Sequence, residues 1–418
     1  MRFKIFLLIF FGSIQFCFTQ GKLENATNNS NSNSAPVLYE INTISNSNSA
    51  IPTIQDTIQV ELDDNDSFKE SSKKEESKKV KTKQQKAASV ALKDKSILEK
   101  NEASASTMEV LNQNFSSVYD EIRMQGNQRN PTAEQQEELN KTLQTIETID
   151  SNSFDYHIMK VKAGNYEVNN FYHLAKANQL NALNIEVQRQ LLAYYTITAD
   201  TTSMKLTLDN QFKNKQIPTE HIDYGSDVIN SLPLNSTVIT HSFDDSYSVL
   251  FHQLSNQERQ DVTVINLDFC QSKNYRDLLV KKGYQIAYDG KIDTKFLADF
   301  VVQNPSKNIN LAMTLPKDYF LNQTEALAIC GLVFTPGNEM SLEDFNQSLW
   351  ETRLSKKVLF TETELGKRLS KNYLPLLLDL SQYYQEKNQL DKKREIDDWI
   401  TKIGKKTNVS DQLKKLKD

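Results

Sequence analysis

Thr237-Val-Ile-Thr-His241, Val262-Thr-Val-Ile-Asn-Leu-Asp-Phe269 and Ile309-Asn-Leu-Ala-Met-Thr314 are short, β-branched runs separated by segments with helical spacing. Runs of this kind read as strands buried on both faces, because an exposed face would show alternating polar residues. Between the first two lies Ser246 to Glu258, where Tyr247, Leu250, Phe251 and Leu254 share one helical face. After Phe269 come a helix over Tyr275–Lys282 closed by Gly283, a third strand at Tyr284–Tyr288 and a helix over Lys295–Val302. The fourth strand is Ile309–Thr314; a helix over Leu321–Cys330 and a fifth strand at Leu332–Thr335 complete the series. Strand–helix alternation implies parallel strands joined by right-handed crossovers. The expected class is therefore α/β, with a Rossmann-like five-stranded parallel sheet over residues 221–340.

Outward from this stretch, helical hairpins are expected at both ends. On the N-terminal side, residues 107–220 carry helical stripes such as Leu139, Leu143, Ile146 and Ile149, with Pro131 suited to a first helical position. Phe154–Ala163 should end at Gly164-Asn165, a C-cap and turn signal. Helices over Tyr166–Ala177 and Ile185–Thr198 follow, and His221–Leu232 leads to the turn at Pro233. On the C-terminal side, residues 341–418, Thr361 and Glu364 have capping-box spacing. Tyr373–Lys387 and Asp391–Ile403 should pair about Asn388, with the charged residues from Lys405 onward frayed.

Residues 1–19 read as a secretory signal: Arg2 and Lys4 precede the apolar run Ile5–Phe11, which is short for a membrane span. Cleavage before Gln20 is expected; lipid attachment at Cys17 is the rival, disfavoured by the bulky Gln15 and Phe16. Residues 20–106 are Asn/Ser-rich, then Lys/Glu-rich, without a periodic apolar face, and read as a disordered polar tether. The formal net charge of −5 gives no global case for nucleic acid, and no second long apolar run suggests a membrane span. Of three cysteines, Cys270 and Cys330 survive signal removal and read as buried free thiols.

Two resemblances bear on fold and location. Asp227-Val-Ile-Asn-Ser-Leu-Pro-Leu-Asn-Ser-Thr-Val-Ile-Thr-His-Ser-Phe-Asp-Asp-Ser-Tyr, followed by Gln260-Asp-Val-Thr-Val-Ile-Asn-Leu and by Leu332-Val-Phe after Gly331, resembles a family region. That region is the soluble C-terminal part of bacterial multi-pass membrane proteins to which glycosyl transfer is ascribed. The resemblance covers about 110 residues, with Ser242 where the family has Gly and Gln260 where it has Pro. It implies the fold and an extracytoplasmic location. The membrane-embedded half that would carry transferase chemistry has no counterpart in the sequence, so no activity is carried over. Lys162-Ala-Gly-Asn-Tyr166 with Leu174-Ala-Lys-Ala177 resembles a tetratricopeptide-type helical hairpin and implies antiparallel helix pairs.

In open α/β sheets ligands sit beyond the carboxyl ends of parallel strands. By that rule His241, Ser242, Asp244, Asp245 and Asp268 are the candidate ligand-binding residues, with Asp289, Thr314 and Thr335 at other strand ends. Acidic residues clustered there could share a proton or hold a cation; Asp244 and Asp245 also suit a helix N-terminus. Phosphate-binding glycine loops, a serine-nucleophile elbow and zinc-type histidine spacing are absent from the sequence. No catalytic residue, metal ligand or cofactor is assigned. His157 and His173 read as polar-face residues of the helical hairpin. The expected function is an exported scaffold or interaction protein of the cell envelope without intrinsic catalysis. Its partners would be other envelope proteins or a peptide or glycan ligand. The alternative is a glycan-directed enzyme or small-ligand binder using the acidic sheet edge.

Overall fold

The computed structural model describes residues 107–122, 130–241, 243–336 and 342–417. The expected signal (1–19) and tether (20–106), and the candidate Ser242, lie outside the described residues. An N-terminal helical layer opens with α1 (residues 107–122), α2 (Ala133–Asp150), α3 (Phe154–Ala163) and α4 (Phe171–Leu180). It continues through α5 (Ile185–Thr198), α6 (Thr201–Lys213) and α7 (Thr219–Ser231). Thr132 and Gln135 form a capping box on α2, so Pro131 precedes the cap rather than opening the helix. At the α3 end, Gly164 is followed by Asn165 and Tyr166 in left-handed conformation (φ 49° and 66°). That turn delays α4 to Phe171, later than the sequence suggests.

Among the described residues, five strands form one sheet: β1 (Thr237–Thr240), β2 (Thr263–Asn266), β3 (Ile309–Ala312), β4 (Leu327–Cys330) and β5 (Val333–Pro336), in the order β2-β1-β3-β5-β4. The helices α8 (Phe243–Leu254), α9 (Lys273–Lys281), α10 (Thr294–Gln303) and α11 (Lys317–Leu321) run between strands. β1 pairs in parallel with β2 and β3, in the registers Ile239–Ile265 and Ile239–Leu311. β5 pairs antiparallel with both β3 and β4. The α/β class holds, but the sheet is mixed, and the expectation of an all-parallel sheet is corrected.

The reason is connection length. Gly331 and Leu332 alone join β4 to β5, whereas a parallel pair needs a crossover of a dozen or more residues. Gly331 sits at φ 59°, and a Cβ there would lie 2.3 Å from the Ser231 hydroxyl oxygen. Two further expectations change. Leu321–Cys330 is not a helix: it contains the end of α11 and all of β4. Tyr284–Tyr288 is not a strand. The Asn304 amide accepts from the Gln285 backbone N–H (2.7 Å) and donates to its carbonyl (2.8 Å), taking up groups a strand neighbour would use.

The C-terminal helices are α12 (Glu343–Ser348), α13 (Glu364–Ser370), α14 (Leu374–Glu386), α15 (Leu390–Lys406) and α16 (Ser410–Lys417). Thr363, not Thr361, caps α13. α14 and α15 pair about Asn388 (φ 55°), as the sequence suggests. The expected fraying from Lys405 onward does not hold as far as residue 413: Val409 and Leu413 are buried in the main core. That core unites the sheet, its flanking helices and the C-terminal helices. A second cluster belongs to α1–α5, including Ile146, Ile158, Val161, Leu174 and Ala177. Among the described residues, no helix is long and apolar enough to cross a membrane.

Candidate functional site

β1 delivers His241 to its carboxyl end, and α8 begins two residues later, at Phe243. The helix starts three residues earlier than its apolar spacing suggests, so Asp244 and Asp245 stand in its first turn, where carboxylates suit the free N–H groups. Ser246 is fully buried beneath them. Its hydroxyl lies 2.6 Å from Thr240 Oγ1 and accepts from Asn266 Nδ2 at 2.8 Å. One hydroxyl thus ties α8 to the ends of β1 and β2. A buried hydroxyl with both partners in place holds the strand ends at a fixed spacing.

His241 and Asp245 are both buried, with Nδ1 3.6 Å from Oδ2. Asp244 faces the helical layer. Arg189 of α5 donates from Nη2 to both of its carboxylate oxygens, at 2.9 and 3.2 Å. The backbone carbonyl of Arg189 in turn accepts from the Tyr247 hydroxyl of α8, at 2.7 Å. His221 of α7 places Nε2 3.7 Å from Asp244. Burial pushes His221 below the ordinary histidine value; Asp244 opposes that push, and Arg368 and Arg189 add to it. His221 is therefore a neutral neighbour at pH 7, and Arg189 is what answers the Asp244 charge.

Asp268 follows β2, the strand beside β1, by two residues and is buried at the start of a 3₁₀ turn, where its N–H donates to Asn266 Oδ1. The structure therefore gathers His241, Asp244 and Asp245 around the start of α8, with Asp268 at the adjacent strand end. Asp289 does not join them: it is exposed in a bend after the segment that fails to form a strand. Thr335 is carried to the opposite edge by the reversal of β5, where its hydroxyl donates to Asn310 Oδ1 at 2.7 Å. That opposite edge holds a cleft of about 460 Å³ lined in part by Pro233, Asn304, Asn308, Glu325 and Thr335. Its Asn304 and Asn310 amides are engaged by backbone and side-chain partners of the sheet edge.

Among the described residues, Cys270 and Cys330 are free and buried. Burial pushes each thiol up to about 12, far from a reactive thiolate. Among the described residues, no three His, Cys, Asp or Glu side chains group as metal ligands.

Sequence reasoning missed three features. Arg189 carries no local signal, because its partner is 55 residues away. Asp227 is fully buried on α7 and accepts from the N–H groups of Ser355 (2.6 Å) and Lys356 (2.9 Å) and from the Tyr373 hydroxyl (2.6 Å). Its position, three after Tyr224 and four before Ser231 on a buried stripe, was the available clue. The third is histidine: His157 is buried, not on a polar face, and its Nδ1 meets His173 Nδ1 at 2.9 Å.

Compared with known proteins, the chain matches no family model, no curated protein and no solved structure.

Proposed function

We propose that the chain is an exported scaffold or interaction protein of the cell envelope, and that the carboxyl edge of its sheet is a structural clasp rather than a reaction centre. The observation that carries this reading is the double hydrogen bond from Arg189 to Asp244. A carboxylate held through both oxygens by an arginine from another layer is occupied in joining that layer to α8. The Tyr247 bond to the Arg189 carbonyl fastens the same two helices a second time. Support for a binding role comes from the helical layer, where Tyr172, Leu180, Leu183 and Leu206 are exposed apolar side chains along α4 to α6. Partners of this surface would be other envelope proteins or a peptide.

A double-mutant cycle on the full chain tests the clasp. Arg189→Ala and Asp244→Asn should each lower unfolding stability by about 1 kcal/mol, and the double variant should lose less than the sum. An Asp244→Asn protein as stable as wild type, or more so, would point to a ligand site held at the expense of stability. The glycan-directed reading is kept by one observation, the buried His241–Asp245 approach at 3.6 Å, which resembles the orienting half of an acid–base pair. Calorimetric titration of soluble glycans onto wild type and Asp245→Asn decides it: saturable heat lost in the variant would favour that reading over the clasp.

A further inference from the structure

We propose that His157 and His173 form a proton-operated latch that closes the α3–α4 hairpin when neutral or singly protonated and releases it when both rings are charged. The two Nδ1 atoms are 2.9 Å apart, and the ring centroids 5.1 Å apart. Only one proton fits on the line between two nitrogens at that distance, so one ring donates and the other accepts. A first extra proton enters at an Nε2 and strengthens the bond, because the donor ring becomes cationic. A second must occupy the accepting Nδ1. Two N–H groups then point at one another and two like charges share a half-buried seam, so the contact has to open.

The surroundings favour the closed form. Tyr156 packs against both rings, its ring centroid 5.4 Å from that of His157 and 5.5 Å from that of His173. Tyr172 stands edge-on to both. The charged groups facing the pair come from three helices: Glu147 and Asp150 from α2, Lys160 from α3 and Lys176 from α4. Burial pushes both histidines below the ordinary value, and Lys176 for His157, or the partner ring and Lys160 for His173, push further. Asp150 and Glu147 oppose them without reversing the direction. The sign follows. Groups with depressed folded-state values give stability that is complete above the unfolded histidine value of about 6.5 and is lost as the pH falls through the folded values.

Opening can stay local. The buried apolar residues of the same two helices, Ile158, Val161, Leu174 and Ala177, belong to the smaller hydrophobic cluster and not to the core around the sheet. The latch is a property of this hairpin alone and stands whether or not the helical layer binds a partner.

Amide hydrogen exchange on the full chain, compared at pH 7.5 and 5.0 after correction for intrinsic rates, tests the latch. In wild type, protection in α3 and α4 should fall about tenfold or more at pH 5.0 while α14 keeps its protection. In His173→Asn the side-chain amide oxygen takes the place of Nδ1 and accepts from His157 in either charge state, so the drop should shrink to about twofold or less. Ring titration of the wild-type protein by NMR serves as a second readout that needs no variant. It should show the second of the two rings gaining its charge only below the ordinary histidine range, with coupled titration of its partner. Independent protonation of both rings near 6.5, unchanged wild-type protection at pH 5.0, or an equal drop in His173→Asn would each overturn the latch.

Discussion

Asp227 shows how much one buried side chain settles. Its carboxylate gathers two N–H groups from the segment before α13 and the Tyr373 hydroxyl, so α7 and the C-terminal helices meet at a single anion. Asp227→Ala would strand three donors in the interior. We expect a loss of about 3 kcal/mol in urea unfolding, against about 1 kcal/mol for Tyr373→Phe, which removes one donor and leaves the acceptor satisfied. Asp379 behaves in the opposite sense. Burial pushes it up to about 6; the Asn346 amide opposes the shift, and Glu343 and Glu386 add to it. A raised folded-state value means stability present below the unfolded carboxylate value and lost as the pH rises through 6. Asp379→Asn keeps an oxygen for the Asn346 amide, so it should stabilise the protein by about 1 kcal/mol at pH 7.5, with the gain gone near pH 4. Neither role was legible in the sequence. An acid on an apolar stripe can be noticed, but the donors it will meet lie more than a hundred residues away.

At the scale of elements, β1, β2 and β3 were legible because Thr237–Thr240, Thr263–Asn266 and Ile309–Ala312 are β-rich runs bounded by turn residues. β4 was not, because Leu327-Ala-Ile-Cys330 is four apolar or small residues with no period to separate strand from helix. Missing it hid the direction of β5, since direction is encoded in the length of the connection and not in the strand. The turn offers a sharp test. Gly331→Ala combines a positive φ with a Cβ driven into Ser231 and Leu349, and should cost more than about 2 kcal/mol in thermal or urea unfolding. Gly290→Ala meets nothing within 4 Å, so only the backbone strain of φ 100° is left and the loss should stay near 1 kcal/mol. The candidate site was legible in the same partial way. The sheet-edge rule placed His241, Asp244, Asp245 and Asp268 at adjacent strand ends, while the Arg189 that occupies Asp244 is a tertiary partner.

For the whole molecule, the core reaches further along the chain than its charge pattern suggests. Lys405 onward is rich in lysine, yet Leu413 packs against Gly404 and, with Val409, joins the apolar interior. A chain ending at residue 403 should therefore melt below the full chain, by a stability loss of about 2–4 kcal/mol for the two buried side chains. The thiols report the same interior. Cys270 and Cys330 should resist iodoacetamide at pH 8 in the native protein and react within minutes once denaturant is added; native-state labelling would show the region around them to be open.

The place of β5 in the sheet has a consequence for synthesis. The last strand to leave the ribosome fills an interior position, between β3 and β4. Until residues 327–336 have emerged, Ile309–Ala312 lines an unfinished border whose hydrogen-bonding groups face outward, ready to recruit the same segment of a neighbouring nascent chain. Premature termination anywhere between 313 and 326 should thus yield insoluble product, while a stop a few residues beyond 336 closes the border.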